Sequence, residues 1–365
     1  MTPGLRTLRK VISRTAETNP TTGANQAAFP IHLAPASDHT TIRVMEIVIA
    51  SPAGSVPGGN SKTASSWAQQ LTQLGHTVRL SGSPDAQAPD LLITMHAEKS
   101  HEALVQFKNK YPATPAVVAL TGTDLYPELS AVSLASLRLA SRVVVLQDKA
   151  LQRLPADFRA RAHVIYCAAQ PAPLPAEGHP RKRGFSVCVV GHLRSVKAPL
   201  HTARASRLLG PESEVYVLHA GAVLEERYRE LIRREEAENP RYRWLGPLET
   251  QEAQQLITSS DLLSHTSSQE GGGSVLGEAL MAGTPIVASR NDATTSLLGD
   301  DYPGLFSFGD TAALATLLSS CETSPPFLRS LLASAAPHLE KCSGNRALRC
   351  WRDLLGELFP DRPSC

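Results

Sequence analysis

The feature that most constrains this chain is its repeated alternation of short apolar runs with amphipathic stretches. Apolar runs at 44–50, 77–80, 90–95, 115–120, 142–146 and 162–166 read as strands. Helical stretches fall between them, near 61–74, 100–110, 130–140 and 148–153. A second series follows, with strands at 185–190, 213–218, 242–245, 261–264 and 284–288. Its helices lie near 197–208, 223–238, 249–259, 274–282 and 311–320. Such alternation is the mark of βαβ units feeding a parallel sheet. The two series are separated by Gln170-Pro171-Ala172-Pro173-Leu174-Pro175, running on to Arg181-Lys182-Arg183, a proline-rich stretch that reads as a linker.

The predicted fold is therefore α/β, with two Rossmann-like domains whose parallel sheets face an interdomain cleft at their carboxyl ends. The expected divisions are a disordered extension at 1–43, a first domain at 44–169, a linker at 170–183, a second domain at 184–325 and a helical tail at 326–365. At 365 residues, two domains are the natural expectation. The extension carries Arg6, Arg9, Lys10, Arg14 and Arg43 against Glu17 and Asp38. Met45 stands directly at the first strand and is a candidate start of the native protein.

Charge excludes several classes. The whole chain is +2, and the basic excess sits in the extension, so the folded part is close to neutral. That argues against a nucleic-acid binder. No apolar run approaches the length of a membrane span, and stable membrane insertion is not expected. The six cysteines form no CxxC, so reduced thiols in the cytoplasm are expected. No cofactor is expected. No Asp-x-Asp occurs in the chain, so the main signal of a metal-held diphosphate is missing.

The most informative segment is Ser267-Ser268-Gln269-Glu270-Gly271-Gly272-Gly273-Ser274-Val275-Leu276-Gly277-Glu278. It follows a strand and opens a helix. Glycines at a helix start leave N–H groups free and let an anion, typically phosphate, come close. Glu270 and Glu278 accept hydrogen bonds only, which suits the hydroxyls of ribose or a hexose. A phosphate cradle beside two such carboxylates describes a nucleotide-sugar site. The plain alternative is a flexible loop with acids that complement the helix dipole. Gly191-His192-Leu193-Arg194-Ser195-Val196-Lys197 follows the first strand of the same domain. Arg194 and Lys197 can stabilise a departing nucleoside diphosphate without a metal.

The first domain offers three further segments at strand ends. Gly58, Gly59, Asn60 and Lys62 stand in an N–H-rich loop that can hold an anion, with Asn60 also readable as a helix N-cap. His96 and Lys99 end another strand. Thr121, Gly122, Thr123 and Asp124 end the next, and Asp124 reads as a base, a hydroxyl binder or the cap of the following helix. His96 and Asp124 are the candidate bases.

Glu270-x7-Glu278, the Gly191…Arg194…Lys197 loop and the two α/β domains resemble the GT-B glycosyltransferases of the GT4 type, over nearly all of residues 44–360. The resemblance implies that Glu270 contacts the donor sugar and Glu278 the ribose. Arg194 and Lys197 would hold the diphosphate, with Gly271, Gly272, Gly273 and Ser274 at the phosphates. The base would be read by backbone around Leu245, with Gly191 and Gly221 at the same side. Ala119–Tyr126, Val143–Gln147, Cys188–Lys197, His219–Gly221, Asn239–Gly246 and Asp301–Gly304 are together similar to the SenB family of selenosugar synthases in selenoneine biosynthesis. That resemblance implies a UDP-sugar donor, UDP-GlcNAc or UDP-glucose, and selenophosphate as acceptor, with UDP and phosphate as by-products. The acceptor would meet Gly58, Gly59, Asn60, Lys62, His96, Lys99 and Thr121–Thr123. Rival readings are a conventional GT4 O-glycosyltransferase using a UDP- or GDP-sugar and an alcohol, a sugar-nucleotide epimerase, and an idle UDP-sugar sensor.

Overall fold

The computed structural model describes residues 44–52, 59–81, 88–169 and 184–360. The expected extension at 1–43, the linker at 170–183 and Gly58 lie outside the described residues.

The first half contains β1 (Glu46–Ala50), α1 (Gly59–Gln73), β2 (Thr77–Ser81), β3 (Leu91–Met95), α2 (His101–Lys110), β4 (Ala116–Leu120), α3 (Ala131–Leu139), β5 (Arg142–Val145), the short α4 (Ala156–Arg159) and β6 (Ala162–Val164). The strands form one parallel sheet in the order β2-β1-β3-β4-β5-β6. β3 and β4 are buried throughout. That is why they read as continuous apolar runs rather than as alternating ones.

The second half contains β7 (Phe185–Val190), α5 (His201–Ser206), β8 (Val215–Ala220), α6 (Arg227–Glu238), β9 (Tyr242–Gly246), α7 (Thr250–Ser259), β10 (Leu262–His265), α8 (Ser274–Ala282), β11 (Ile286–Ser289), α9 (Asp292–Leu298) and β12 (Leu305–Phe306). The chain ends with α10 (Thr311–Thr323), α11 (Pro325–Ala335) and α12 (Gly344–Leu358). Its sheet is also parallel, ordered β12-β11-β10-β7-β8-β9. The chain winds outward in both directions from β7 and β10. That adjacent pair is the switch point, where loops diverge and open a crevice. β1 and β3 play the same part in the first sheet.

One helix differs from expectation. The stretch 197–208 is not continuous: a 3-10 turn covers Ser195–Lys197, and α5 starts only at His201. Pro199 cannot donate within a helix, and Ala198 takes a left-handed conformation with φ 43°. Helix α9 and the two-residue strand β12 were not read from the sequence.

The tail divides between the two cores. Leu328, Leu331 and Ala335 of α11 join the apolar core of the second sheet. Leu348, Trp351, Leu354 and Leu355 of α12 return to the core of the first. Trp351 meets Trp67 of α1 edge-on, with centroids 4.9 Å apart at 80°, and donates from its indole N–H to Gln70 at 3.1 Å. Truncating Trp351 to Ala is expected to cost about 3–5 kcal/mol. No helix among the described residues is long and apolar enough to cross a membrane.

Candidate active site

The loop after β7 carries Arg194 and Lys197, and the chain braces it from several sides. Leu193 donates its N–H to Ala222 O at 2.8 Å, and its own carbonyl accepts from Leu224 and Glu225, each at 3.1 Å. Ser195 donates to Glu225 from its N–H at 2.8 Å and from its hydroxyl at 2.5 Å. Ser268, on the loop after β10, donates to Val196 O at 2.8 Å. Thr266 donates its hydroxyl to Lys197 O at 2.9 Å. These bonds hold Ala198 in its unfavourable conformation. Strain of this kind persists only where the surroundings determine the backbone. It aims Lys197 across the crevice.

The loop after β10 supplies Glu270. Lys197 donates to its carboxylate, and His265 Nε2 stands 3.2 Å from the same oxygen. Burial opposes ionisation of Glu270, but Lys197 and His265 outweigh it and hold the carboxyl well below the usual carboxylate range. Glu270 is therefore an acceptor only. Arg194 differs: its Nε is buried and finds no hydrogen-bond partner among the described residues. A buried guanidinium nitrogen left unpaired is costly, and an anion would satisfy it.

Gly273 (φ 57°) precedes α8, which starts at Ser274 without a side-chain cap. Glu278, one turn on, is 6% exposed and accepts from Lys62 of α1. Lys62 thus reaches across from the first domain to the carboxylate that the resemblance assigns to ribose. The sequence reading placed Lys62 with the acceptor; in this structure its partner is Glu278 of the second domain.

The first-domain loops are more self-contained. Asp124 is buried, and its oxygens accept from Ala97 N at 2.8 Å, Thr121 N at 2.9 Å and Gly122 N at 2.8 Å. It does not cap the following helix, which Ser130 caps instead. His96 is buried with φ 72°; its Nε2 lies 2.9 Å from the Thr123 hydroxyl and its Nδ1 accepts from Lys99 N at 3.3 Å. Burial pushes His96 below its usual range, against the pull of Asp124. Asn60 is the second residue of α1 rather than its cap. Gly59 opens that helix, and Lys99 is exposed.

The glycines do something the sequence did not reveal. A Cβ on Gly271 would lie 2.1 Å from Thr121 O, and one on Gly122 (φ 135°) would lie 3.0 Å from Gly271 N. A Cβ on Gly272 would meet Leu146 at 2.7 Å and Cys167 Sγ at 2.9 Å. The missing side chains let the two domains' backbones touch. Close approach was expected of a ligand; here the first domain makes it. Gly221 has a similar part, since its Cβ would fall 2.0 Å from Gly191 O. Leu245 sits in β9 with its side chain partly in solvent.

The structure thus gathers Arg194, Lys197, Glu270, Glu278, Lys62 and the 271–274 turn at one cleft. His265 and Thr266 were missed, although they stand in the Ser264–Ser267 run leading into the glutamate loop. A small pocket lined by Gly191, Lys197, His219, His265 and Thr266 lies beside the ion pair.

Residues 175–336 match the family model described as glycosyl transferases group 1. No curated protein sequence matches the chain. Among solved structures, HepE of Anabaena in complex with UDP-glucose is similar at 18% identity and a TM-score of 0.70, over 86% of this chain and 100% of that one. Sucrose-phosphate synthase of Thermosynechococcus elongatus is similar at 16% identity and a TM-score of 0.66, over 87% and 99%. A glycosyltransferase of Rickettsia africae follows at 15% and 0.62, over 88% and 100%. The chain has the GT-B fold and is a glycosyltransferase.

Proposed function

We propose that this protein transfers a hexose, GlcNAc or glucose, from a UDP-sugar to selenophosphate, using cations and amides in place of a divalent ion to hold the diphosphate. The observation that carries the donor half is Arg194, whose Nε waits unpaired beside Lys197 at the switch point. Uridine diphosphate as the carrier is supported by the similar fold of HepE, described with UDP-glucose and with UDP. On donor binding, Lys197 turns from Glu270 to the diphosphate. The freed carboxylate accepts from sugar hydroxyls, and Glu278 does the same for the ribose. Electrostatic stabilisation of the leaving UDP then lowers the barrier.

The acceptor half rests on the likeness of Ala119–Tyr126, Cys188–Lys197 and the other quoted segments to selenosugar synthases. Chemistry adds support. Both candidate bases are engaged: Asp124 accepts from three amides, and His96 is bound at both nitrogens. An alcohol acceptor needs a base to take its proton, whereas an anionic selenium nucleophile does not. Selenium attacks the anomeric carbon, the bond from that carbon to the UDP oxygen breaks, and UDP leaves with the electron pair. Water then cleaves the phosphorus–selenium bond, releasing phosphate and the selenosugar. Closure of the cleft excludes water from the donor, whose hydrolysis competes.

The test is incubation with UDP-GlcNAc or UDP-glucose, with and without selenophosphate. UDP release that requires selenophosphate, with a selenium-bearing hexose by mass, supports the proposal. Release only with an alcohol points to an O-glycosyltransferase, and isomerisation without release points to an epimerase.

A further inference from the structure

The most deeply placed titratable group near the cleft is one that this mechanism leaves idle. His219, in β8, has no exposed surface. Both of its ring nitrogens are engaged: Nε2 is 3.1 Å from Gly191 O and Nδ1 is 2.9 Å from the Tyr242 hydroxyl. A carbonyl only accepts, so Nε2 must carry the proton. Nδ1 then accepts, and Tyr242 must donate. Burial pushes His219 down to about 4, partly offset by the bond to Gly191, so the ring is neutral at ordinary pH. The result is a hydrogen-bonded row across three neighbouring strands, from Tyr242 in β9 through His219 in β8 to the end of β7.

That row ends at the root of the donor loop. Gly191 is the first residue after β7, and Arg194 and Lys197 follow within six residues. Its N–H already donates to Ala220 O at 2.9 Å, and Gly221 presses against its carbonyl with no room for a Cβ. The His219 bond therefore fixes the plane of the peptide from which the cationic loop departs. We infer that His219 is a positioning residue for donor binding, which orients the Gly191 peptide and thereby sets where Arg194 and Lys197 stand. The inference rests on reading those two residues as diphosphate ligands.

Two substitutions separate this role from mere packing. The amide nitrogen of Gln at 219 can take the place of Nε2 and still donate to Gly191 O, whereas that of Asn lies nearer the Nδ1 position and cannot reach. His219→Gln and His219→Asn are expected to lose similar melting temperature. UDP affinity by calorimetry should stay near wild type for Gln and fall about tenfold for Asn, because a displaced loop misplaces both cations. Donor KM should rise in His219→Asn while acceptor KM holds. Should the histidine variants fold poorly, Tyr242→Phe serves: it frees the tautomer, and it should weaken UDP binding with the fold kept. Equal UDP affinity in wild type, His219→Asn and Tyr242→Phe would overturn the inference, as would losses that follow melting temperature alone in both histidine variants. Failure of the wild type to bind UDP at all would remove the donor reading, and this inference with it.

Discussion

The two faces of the cleft differ in what their polar groups are already doing. On the second-domain face, Arg194 has an unpaired Nε, and Lys197 is joined to a carboxylate that a sugar hydroxyl could take over. On the first-domain face, Asp124 and His96 are buried and bound to their own loops. One face leaves a buried guanidinium nitrogen unpaired; the other uses equally polar residues to fix backbone. Residue type does not distinguish these states. Neighbours do, and Lys62 crosses from one face to the other.

The largest test of that contrast is Lys197→Ala, which should lower kcat by on the order of 10²-fold or more. Unchanged turnover would take Lys197 out of the chemistry and leave the second face no more active than the first. Next comes Glu278→Ala, expected to raise donor KM severalfold with kcat nearly kept. Lys62→Ala provides its counterpart. If Lys62 merely neutralises Glu278 before the donor arrives, removing it should leave donor KM unchanged or lower it. A rise as large as that of Glu278→Ala would make Lys62 a donor ligand instead.

Asp124→Asn probes the first face. One oxygen becomes an amide, leaving a backbone N–H without its acceptor, at a cost of about 1–3 kcal/mol in stability. Activity should fall little beyond that. A thousandfold loss of kcat with unaltered melting temperature would instead identify Asp124 as the base. The smallest effect is expected from Ala198→Gly. Glycine accepts a left-handed conformation freely but loses more chain entropy on folding. Stability should therefore shift by under about 1 kcal/mol, while donor KM rises as the loop slackens.

Much of the fold was legible, because strands buried on both sides leave unbroken apolar runs such as Leu91–Met95 and Ala116–Leu120. The second-domain cluster was legible too, since Glu270, Glu278, Arg194 and Lys197 stand at fixed offsets from strand ends. What escaped is long-range. The pairing of Lys62 with Glu278 spans 216 positions. The tight packing of Gly271 and Gly272 against Thr121 and Leu146 has no local signal beyond the glycines themselves. Two misses did have local signals. Pro199 disfavours a helical conformation at Ala198 and so marks a break in the helix read through 197–208. Asn291 with Thr294 forms a capping box, which marks the start of α9. The return of α12 to the first core was hidden because an amphipathic helix does not state which surface it covers.

The most direct measurement is calorimetric titration of the intact protein with UDP-glucose and with UDP-GlcNAc, once in EDTA and once in excess magnesium or manganese. Saturable binding of at least one, with the same affinity in every buffer, is the expected result. No heat with either sugar nucleotide, or heat only when the divalent ion is present, would contradict a diphosphate site built from Arg194, Lys197 and bare amides.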